Sequence, residues 1–288
     1  MKYAYIDKQS AYHSITMLCS ALQVSRSGYY NWRNHHETPH EESDRLLKDW
    51  ITEIFEDSRS TYGVRRIRSV LNDHGVRISR RRVARLKREL GLVCKAQKRF
   101  KSTTDSNHKL PVAPNRLNRV FEIEAPDDVY VGDITYIPTQ EGWLYLAVWI
   151  DLCTRMVVGW SMTDHMKASL VGDALRMACF KRRPEKGLLI HSDRGVQYAS
   201  EEFRNLLNEK GFLQSMSRKG NCWDNAPSES FFHTLKTEWV DDHSYATREQ
   251  AKQSIFEYIE VFYNRQRKHS TIGYITPAQA DEKVRMVA

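Results

Sequence analysis

Three acidic residues of this 288-residue chain, Asp133, Asp193 and Glu229, stand where a carboxylate is either costly or well placed for a ligand. Asp133 interrupts the alternating segment "DVYVGDITYIPT", which puts Val129, Val131, Asp133, Thr135 and Ile137 on one face of a strand. A carboxylate in such a place is expensive unless a cation or hydrogen-bond donors receive it. Asp193 follows the apolar run "GLLIH" at the carboxyl end of a buried strand, where open α/β sheets bind ligands. Glu229 falls in the first turn of a helix that Asp224 or Asn225 can cap and whose start suits Pro227. Oxygen-only ligands match hard cations such as Mg2+ or Mn2+. Two such ions clamp the attacking and leaving oxygens of an in-line displacement at phosphorus. Taken singly, each acid also has a structural reading: a hydrogen-bonded core Asp, a turn residue, a charge answering a helix dipole.

Neighbouring groups sort around these three. Asp224 reads as the helix cap and Glu238 as a surface charge. His233 and Lys236 lie one and two turns beyond Glu229, near the same helix face. His191, two residues before Asp193, shares its sheet face and is a possible near-site residue. Asp151 closes the apolar run "LAVWI" and competes for a metal, although its place by a turn favours a structural role.

The elements that must hold these groups are legible in outline. "DVYVGDITYIPT", "WLYLAVWIDL" and "RMVVGWSM" read as an antiparallel meander, with tight connections at Pro138–Gly142 and Cys153–Thr154. A helix over "KASLVGDALRMACFKR", the strand "GLLIHSD", a helix over "EEFRNLLNEKG", the strand "FLQSMS" and a further helix follow. Three strands, then helices alternating with strands, predict an α/β domain: a mixed sheet covered by helices. A later helix over "TREQAKQSIFEYIEVFYNRQRKH" starts with a T-x-x-Q capping box at Thr247.

Charge divides the chain. Residues 1–120 hold 24 Lys+Arg against 12 Asp+Glu, whereas the other 168 hold 20 against 24. Arg65 to Lys101 alone carries 14 basic and 2 acidic residues, a block suited to a polyanion. Within it, a helix through Ile67, Val70 and Leu71 stops at Gly75. A second starts after Ser79, buries Val83, Leu86 and Leu90, and ends at Gly91. Such a pair fits an ordinary helical hairpin or a helix-turn-helix, and the Arg excess of the second helix favours the latter, with Arg80, Arg81, Arg82, Arg85 and Arg88 as candidate DNA contacts. Upstream, residues 12–34 read as two short helices broken near Val24–Ser25. A longer helix over "EESDRLLKDWITEIFEDS" is expected to bury Leu46, Leu47, Trp50 and Ile54. Residues 96–119 lack hydrophobic period and read as a basic linker. Five scattered cysteines without C-x-x-C point to reduced thiols and a cytoplasmic protein. No apolar run approaches the roughly 18 residues of a membrane span.

"GDITYI", "HSDRGVQY" and "NCWDNAPSESFFHTLKTE", in this order and with 35 residues between Asp193 and Glu229, closely resemble the catalytic core of retroviral integrases and DDE transposases. The likeness is greatest to the OrfB-type transposases of the IS-three family of bacterial insertion sequences. It extends to "YGVRRI…SRRRVARLKRELGL" and to the closing "YNRQRKHSTIGYITPAQ", and so covers nearly the whole chain. Ser228 and Ile272 stand where relatives commonly carry Met and Leu. The resemblance implies an RNase H-like core, with Asp133, Asp193 and Glu229 as catalytic and metal-binding triad for Mg2+ or Mn2+, two ions. Lys236 matches a basic residue seven positions after the catalytic Glu and is expected to hold a phosphate of the element's end. Implied partners are DNA (terminal inverted repeats and target), an OrfA frame or OrfAB fusion, and a second copy of the chain on DNA. A zinc module of the retroviral type is not expected, since His35, His36 and His40 have no paired cysteines nearby. The expected division is 1–95 DNA-binding helices, 96–119 linker, 120–240 core and 241–288 helical extension. Two other readings remain open here: a DNA-binding regulator with an inert α/β domain, and a nuclease on the same fold.

Overall fold

The structure, a computed structural model, describes residues 1–34, 37–95 and 110–287. His35, His36 and the 96–109 part of the expected linker lie outside the described residues.

The chain opens with three short helices, α1 (Lys2–Gln9), α2 (Ile15–Ala21) and α3 (Arg26–Arg33), around Ile6, Leu18, Cys19 and Tyr29. The Ser25 hydroxyl accepts the Gly28 N–H and so starts α3 at the expected break. Helix α1 has no counterpart in the sequence reading. Next come α4 (Pro39–Asp57), α5 (Val64–Asp73) and α6 (Arg80–Glu89), with a shared core of Leu47, Ile51, Phe55, Ile67, Leu71, Val83 and Leu86. Gly75 takes the left-handed turn at φ +82° and Ser79 accepts the Arg82 N–H, which makes the helix-turn-helix as expected. The buried stripe of α4 is Leu47–Ile51–Phe55, whereas Leu46 and Trp50 face solvent. Four apolar residues at helical spacing fit two overlapping stripes, and the packing of α5 and α6 selects one.

The sheet is formed by β1 (Val129–Thr139), β2 (Gly142–Asp151), β3 (Val157–Thr163), β4 (Leu189–Ser192) and β5 (Leu213–Met216) in the order β3-β2-β1-β4-β5. The first three are antiparallel neighbours, and β4 and β5 run parallel to β1. This is the mixed RNase H-like sheet. Between β3 and β4 lies α7 (Ala168–Arg182), and between β4 and β5 lie α8 (Val196–Ala199) and α9 (Glu201–Lys210). After β5 come α10 (Ala226–Glu238), α11 (Arg248–Phe256) and α12 (Pro277–Val287). One sheet face, with Val129, Val131 and Ile137, packs on Phe231, Leu235 and Ile255 of α10 and α11. The other, with Tyr130 and Trp149, packs on Leu175 and Phe203 of α7 and α9. Gly132 lies opposite Trp149, and a Cβ there would stand 2.4 Å from the Trp149 ring. The residue before Asp133 must therefore be glycine.

Thr247 starts α11 by accepting the Gln250 N–H, while the Gln250 side chain reaches back to the Ala246 N–H rather than to the cap residue. The helix continues through a π-helical turn, Glu257–Tyr263. That turn delivers Asn264 to the edge strand, where its amide accepts the Val157 N–H and donates to the Val157 carbonyl, both at 3.0 Å.

Two expectations are corrected here. Residues 110–119 are no free linker: Leu117 is buried in the sheet core, and the Arg116 and Leu117 amides donate to Ser215 Oγ. Glu238 is no surface charge. Its carboxylate holds Arg267 in a two-pronged pair at 2.6 and 2.7 Å, with Arg66 of α5 at 3.8 Å. The same seam joins the helix-turn-helix to the C-terminal segment. Tyr62 Oη donates to the Gln266 carbonyl and accepts the Lys268 N–H, and the Arg59 guanidinium covers the Trp239 ring at 3.7 Å. Removing one member of a buried pair strands the other charge. Glu238→Gln is expected to cost roughly 3–5 kcal/mol, about 5–8 °C in thermal midpoint for a chain of this size. A midpoint within a degree of the parent chain would show that the seam contributes little.

Candidate active site

The two aspartates are brought together by strand register. Gly132 pairs with Ser192 in the parallel β1–β4 ladder, so Asp133 and Asp193 are the next residues on neighbouring strands, which run about 4.8 Å apart. Asp133 Oδ1 accepts the Ile134 N–H at 2.8 Å, and Asp193 Oδ1 accepts the Gly195 N–H at 2.9 Å. Both are half-buried at one end of a cleft of about 320 Å³ whose far wall includes Tyr136, Trp143 and Tyr145.

Glu229 comes from the first turn of α10, and three contacts place that turn. Asn225 Nδ2 donates to the Gly132 carbonyl, one residue from Asp133. His191 is fully buried, with Nδ1 at 2.8 Å from Ser215 Oγ and Nε2 at 3.0 Å from the Asp224 carbonyl. Burial pushes its pKa down to about 4, so it is a neutral brace rather than an acid-base group. Asp224 does not cap the helix. Asn225 takes the cap position without a side-chain cap bond. The fully buried Asp224 carboxylate instead accepts from Arg218 Nε at 2.8 Å, Arg119 Nε at 2.7 Å and Asn115 Nδ2 at 2.9 Å. These donors, Arg218 first, hold it well below the usual carboxylate range. Arg218, Arg119 and Asn115 are the positioning residues that sequence reasoning missed, while Asn225, a cap candidate in the sequence, holds the cap position and binds the strand instead. Arg119 is 105 positions from its partner, with no local pattern to join them.

The three acids lie in one another's field. Burial raises Asp133 well above its ordinary value, and the charges of Asp193 and Glu229 raise it further, opposed by the Ile134 N–H and by Lys236. Glu229 is raised by burial and then by Asp193. Among the described residues no three His, Cys, Asp or Glu side chains are drawn into a ready metal cage. The charges of Asp193 and Glu229 act on Asp133, and that of Asp193 on Glu229, although Glu229 is not among the residues that line the cleft. Repelling carboxylates at the rim of a cleft are a donor set that cations relieve.

Lys236 Nζ lies 4.8 Å from the centre of the Tyr136 ring and burial lowers its pKa. His233, half-exposed, lies one turn from Glu229 on α10. Asp151 is away from the cleft's lining and fully buried. It accepts the N–H groups of Asp127 and Thr154 and the Thr154 hydroxyl, closing the β2–β3 turn. Of the five candidate DNA-contact arginines, Arg82 and Arg85 are held by Asp44 at 2.8 and 2.6 Å, whereas Arg80, Arg81 and Arg88 are exposed.

A raised Asp133 binds its proton more tightly in the native than in the unfolded chain. Stability of the metal-free protein therefore falls as pH rises from about 4 through that raised value. Asp133→Asn is expected to raise the metal-free thermal midpoint at neutral pH by a few degrees and to flatten its decline with pH. An unchanged profile would mean the acid cluster carries no strain.

Three family descriptions match the chain: an HTH-like domain over residues 41–100 and integrase core domains over 123–222 and 229–283. Among solved structures, a simian T-cell lymphotropic virus intasome in complex with PP2A regulatory subunit B56 gamma is similar over 74% of this chain and 70% of its own. There the identity is 17% and the TM-score 0.47. The insertion element IS600 uncharacterized 31 kDa protein of Shigella sonnei is 48% identical over 94% of this chain and 100% of its own length. The transposase InsF for insertion sequence IS3A of Escherichia coli (strain K12) is 40% identical over 98% of this chain and 99% of its own. With that identity over nearly its whole length, the chain belongs to the IS3-type family of insertion-sequence transposases, built from an HTH-like domain and an integrase core.

Proposed function

We propose that this transposase cuts and joins DNA at the ends of its insertion sequence, with Asp133, Asp193 and Glu229 as the ligands of two divalent cations, Mg2+ or Mn2+. The observation that carries this reading is the β1–β4 register that sets Asp133 and Asp193 side by side at one cleft, with Glu229 of α10 near enough for its charge to raise Asp133. When bound, the cations supply Lewis-acid activation of the attacking oxygen and stabilisation of the leaving one. The protein's own part is placement. The β1–β4 register sets the two aspartates side by side, and the clamped turn before α10 brings Glu229 to them. Lys236, whose charge already acts on Asp133, holds a phosphate of the element's end. His233 lies near the same strand of DNA.

Residues 1–95 read the terminal inverted repeats, with Arg80, Arg81 and Arg88 on backbone phosphates. Residues 120–240 cut and join at the ends and the target, and 241–288 brace the core. Arg82 and Arg85 position the helix through Asp44. An OrfA frame or OrfAB fusion and a second copy pairing two ends in the bacterial cytoplasm complete the reading, on family likeness. Among the described residues no helix is long and apolar enough to cross a membrane.

The test is a joining assay on labelled element ends, with and without the partner frame. Asp193→Asn is expected to lower joined product at least about a hundredfold, each tenfold being 1.36 kcal/mol. Joining at the parent rate would overturn the triad, and hydrolysed ends alone would make the chain a nuclease. Independently of activity, MgCl2 is expected to raise the parent chain's thermal midpoint and to leave that of Asp133→Asn unmoved. For the helix-turn-helix, Arg81→Ala should reduce the slope of log affinity against log salt by about 1, equally on all sequences. An unaltered slope places the duplex elsewhere.

A further inference from the structure

The cleft beside the aspartates is larger than metal binding requires, and its far wall is aromatic. Trp143 opens β2 with 49% of its surface exposed, while Trp149 on the same strand is fully buried. Met166 and Val196, at 47% and 42%, also line the cleft, beside the loop that follows Asp193. A large indole left half in water contributes little to the core, yet this one is held firmly. Its ring meets Tyr136 edge-on at 4.7 Å and 76°, and Lys236 Nζ sits over that same Tyr136 ring at 4.8 Å.

The backbone around Trp143 is equally fixed. Thr139 Oγ1 donates to the Gly142 carbonyl across the hairpin tip at 2.6 Å. Arg248 of α11 donates from Nε to the Trp143 carbonyl at 3.1 Å, and its N–H donates to Glu141 Oε2 at 2.8 Å. The indole is thus presented rigidly, so little ordering is lost when a flat partner stacks on it.

We propose that this wall is a stacking subsite for an unpaired nucleobase of the DNA strand being cut, with Trp143 as its platform. The proposal rests on the triad reading above, which puts the scissile phosphate at the aspartate end. A nucleotide has the same polarity as the cleft, a charged phosphate at one end and a flat apolar base at the other. The cleft, about 320 Å³, has room for a nucleoside, and a base in duplex is stacked on both faces, so one that stacks on Trp143 has left the duplex stack. Every base has a π-face, so the subsite fixes the position of the strand rather than its sequence.

The experiment uses the full chain, with its partner frame, on duplexes of the element's own terminal sequence. A fluorescent adenine analogue is placed in turn at each nucleotide flanking the cut. In the parent chain and in Asp193→Asn, quenching is expected at one or two adjacent positions. Trp143→Ala should abolish that quenching and weaken joining about five- to a hundredfold, mainly through KM, while its thermal midpoint stays near the parent's. Trp143→Phe should restore most of both. Quenching that survives in Trp143→Ala overturns the proposal, as does joining at the parent rate in that variant. Loss of self-association in Trp143→Ala with quenching intact would also overturn it, by assigning the indole to a contact between copies. If instead Asp193→Asn joins normally while the Trp143 effects hold, the triad assignment fails and the base subsite stands.

Discussion

Bringing three negative charges together is the constraint on which this molecule is built. Carboxylates separate if they are free to do so, and each one here is held by an element that has no such freedom. Asp133 and Asp193 cannot drift apart without unpairing two parallel strands. Glu229 cannot swing away while Asn225 holds the Gly132 carbonyl and His191 holds the turn before it. The repulsion appears in the raised protonation of Asp133 and Glu229.

The scaffold around the acids balances a second set of charges in the opposite way. Asp224 is deeply buried yet held far below its usual range, because Arg218, Arg119 and Asn115 all donate to it. One buried carboxylate is thus surrounded by donors and held low, while another, nearby, meets like charges and is raised. Burial alone does not separate the two roles; the sign of the surroundings does. Because Arg119 and Asn115 come from the segment that leads into β1, the turn before α10 is tied to the entry of the sheet.

Much of this was legible in the chain. Asp133 and Asp193 stood out because strand-forming apolar residues flank them, so a carboxylate there needed a reason. Gly75 and Ser79 announced the helix-turn-helix because one supplies the left-handed turn and the other a cap. What stayed hidden were partners distant in sequence. Asp224 and Glu238 looked like a cap and a surface charge because Arg119 and Arg267 lie 105 and 29 positions away. The ion pairs of Arg82 and Arg85 with Asp44 leave no local pattern, because Asp44 belongs to another helix. The 110–119 stretch looked like linker because a single Leu117 buried in the core leaves no period.

The π-helical turn of Glu257–Tyr263 carries a different burden. The edge strand β3 would offer its backbone at Val157 to any extended chain that came alongside. By widening one helical turn, the molecule rotates Asn264 so that its amide occupies both hydrogen-bonding groups of that residue. Deleting one residue from the turn would swing the amide away by about 100°. The damage would then show as sticky, poorly soluble protein, because the Val157 backbone would again be open to pairing.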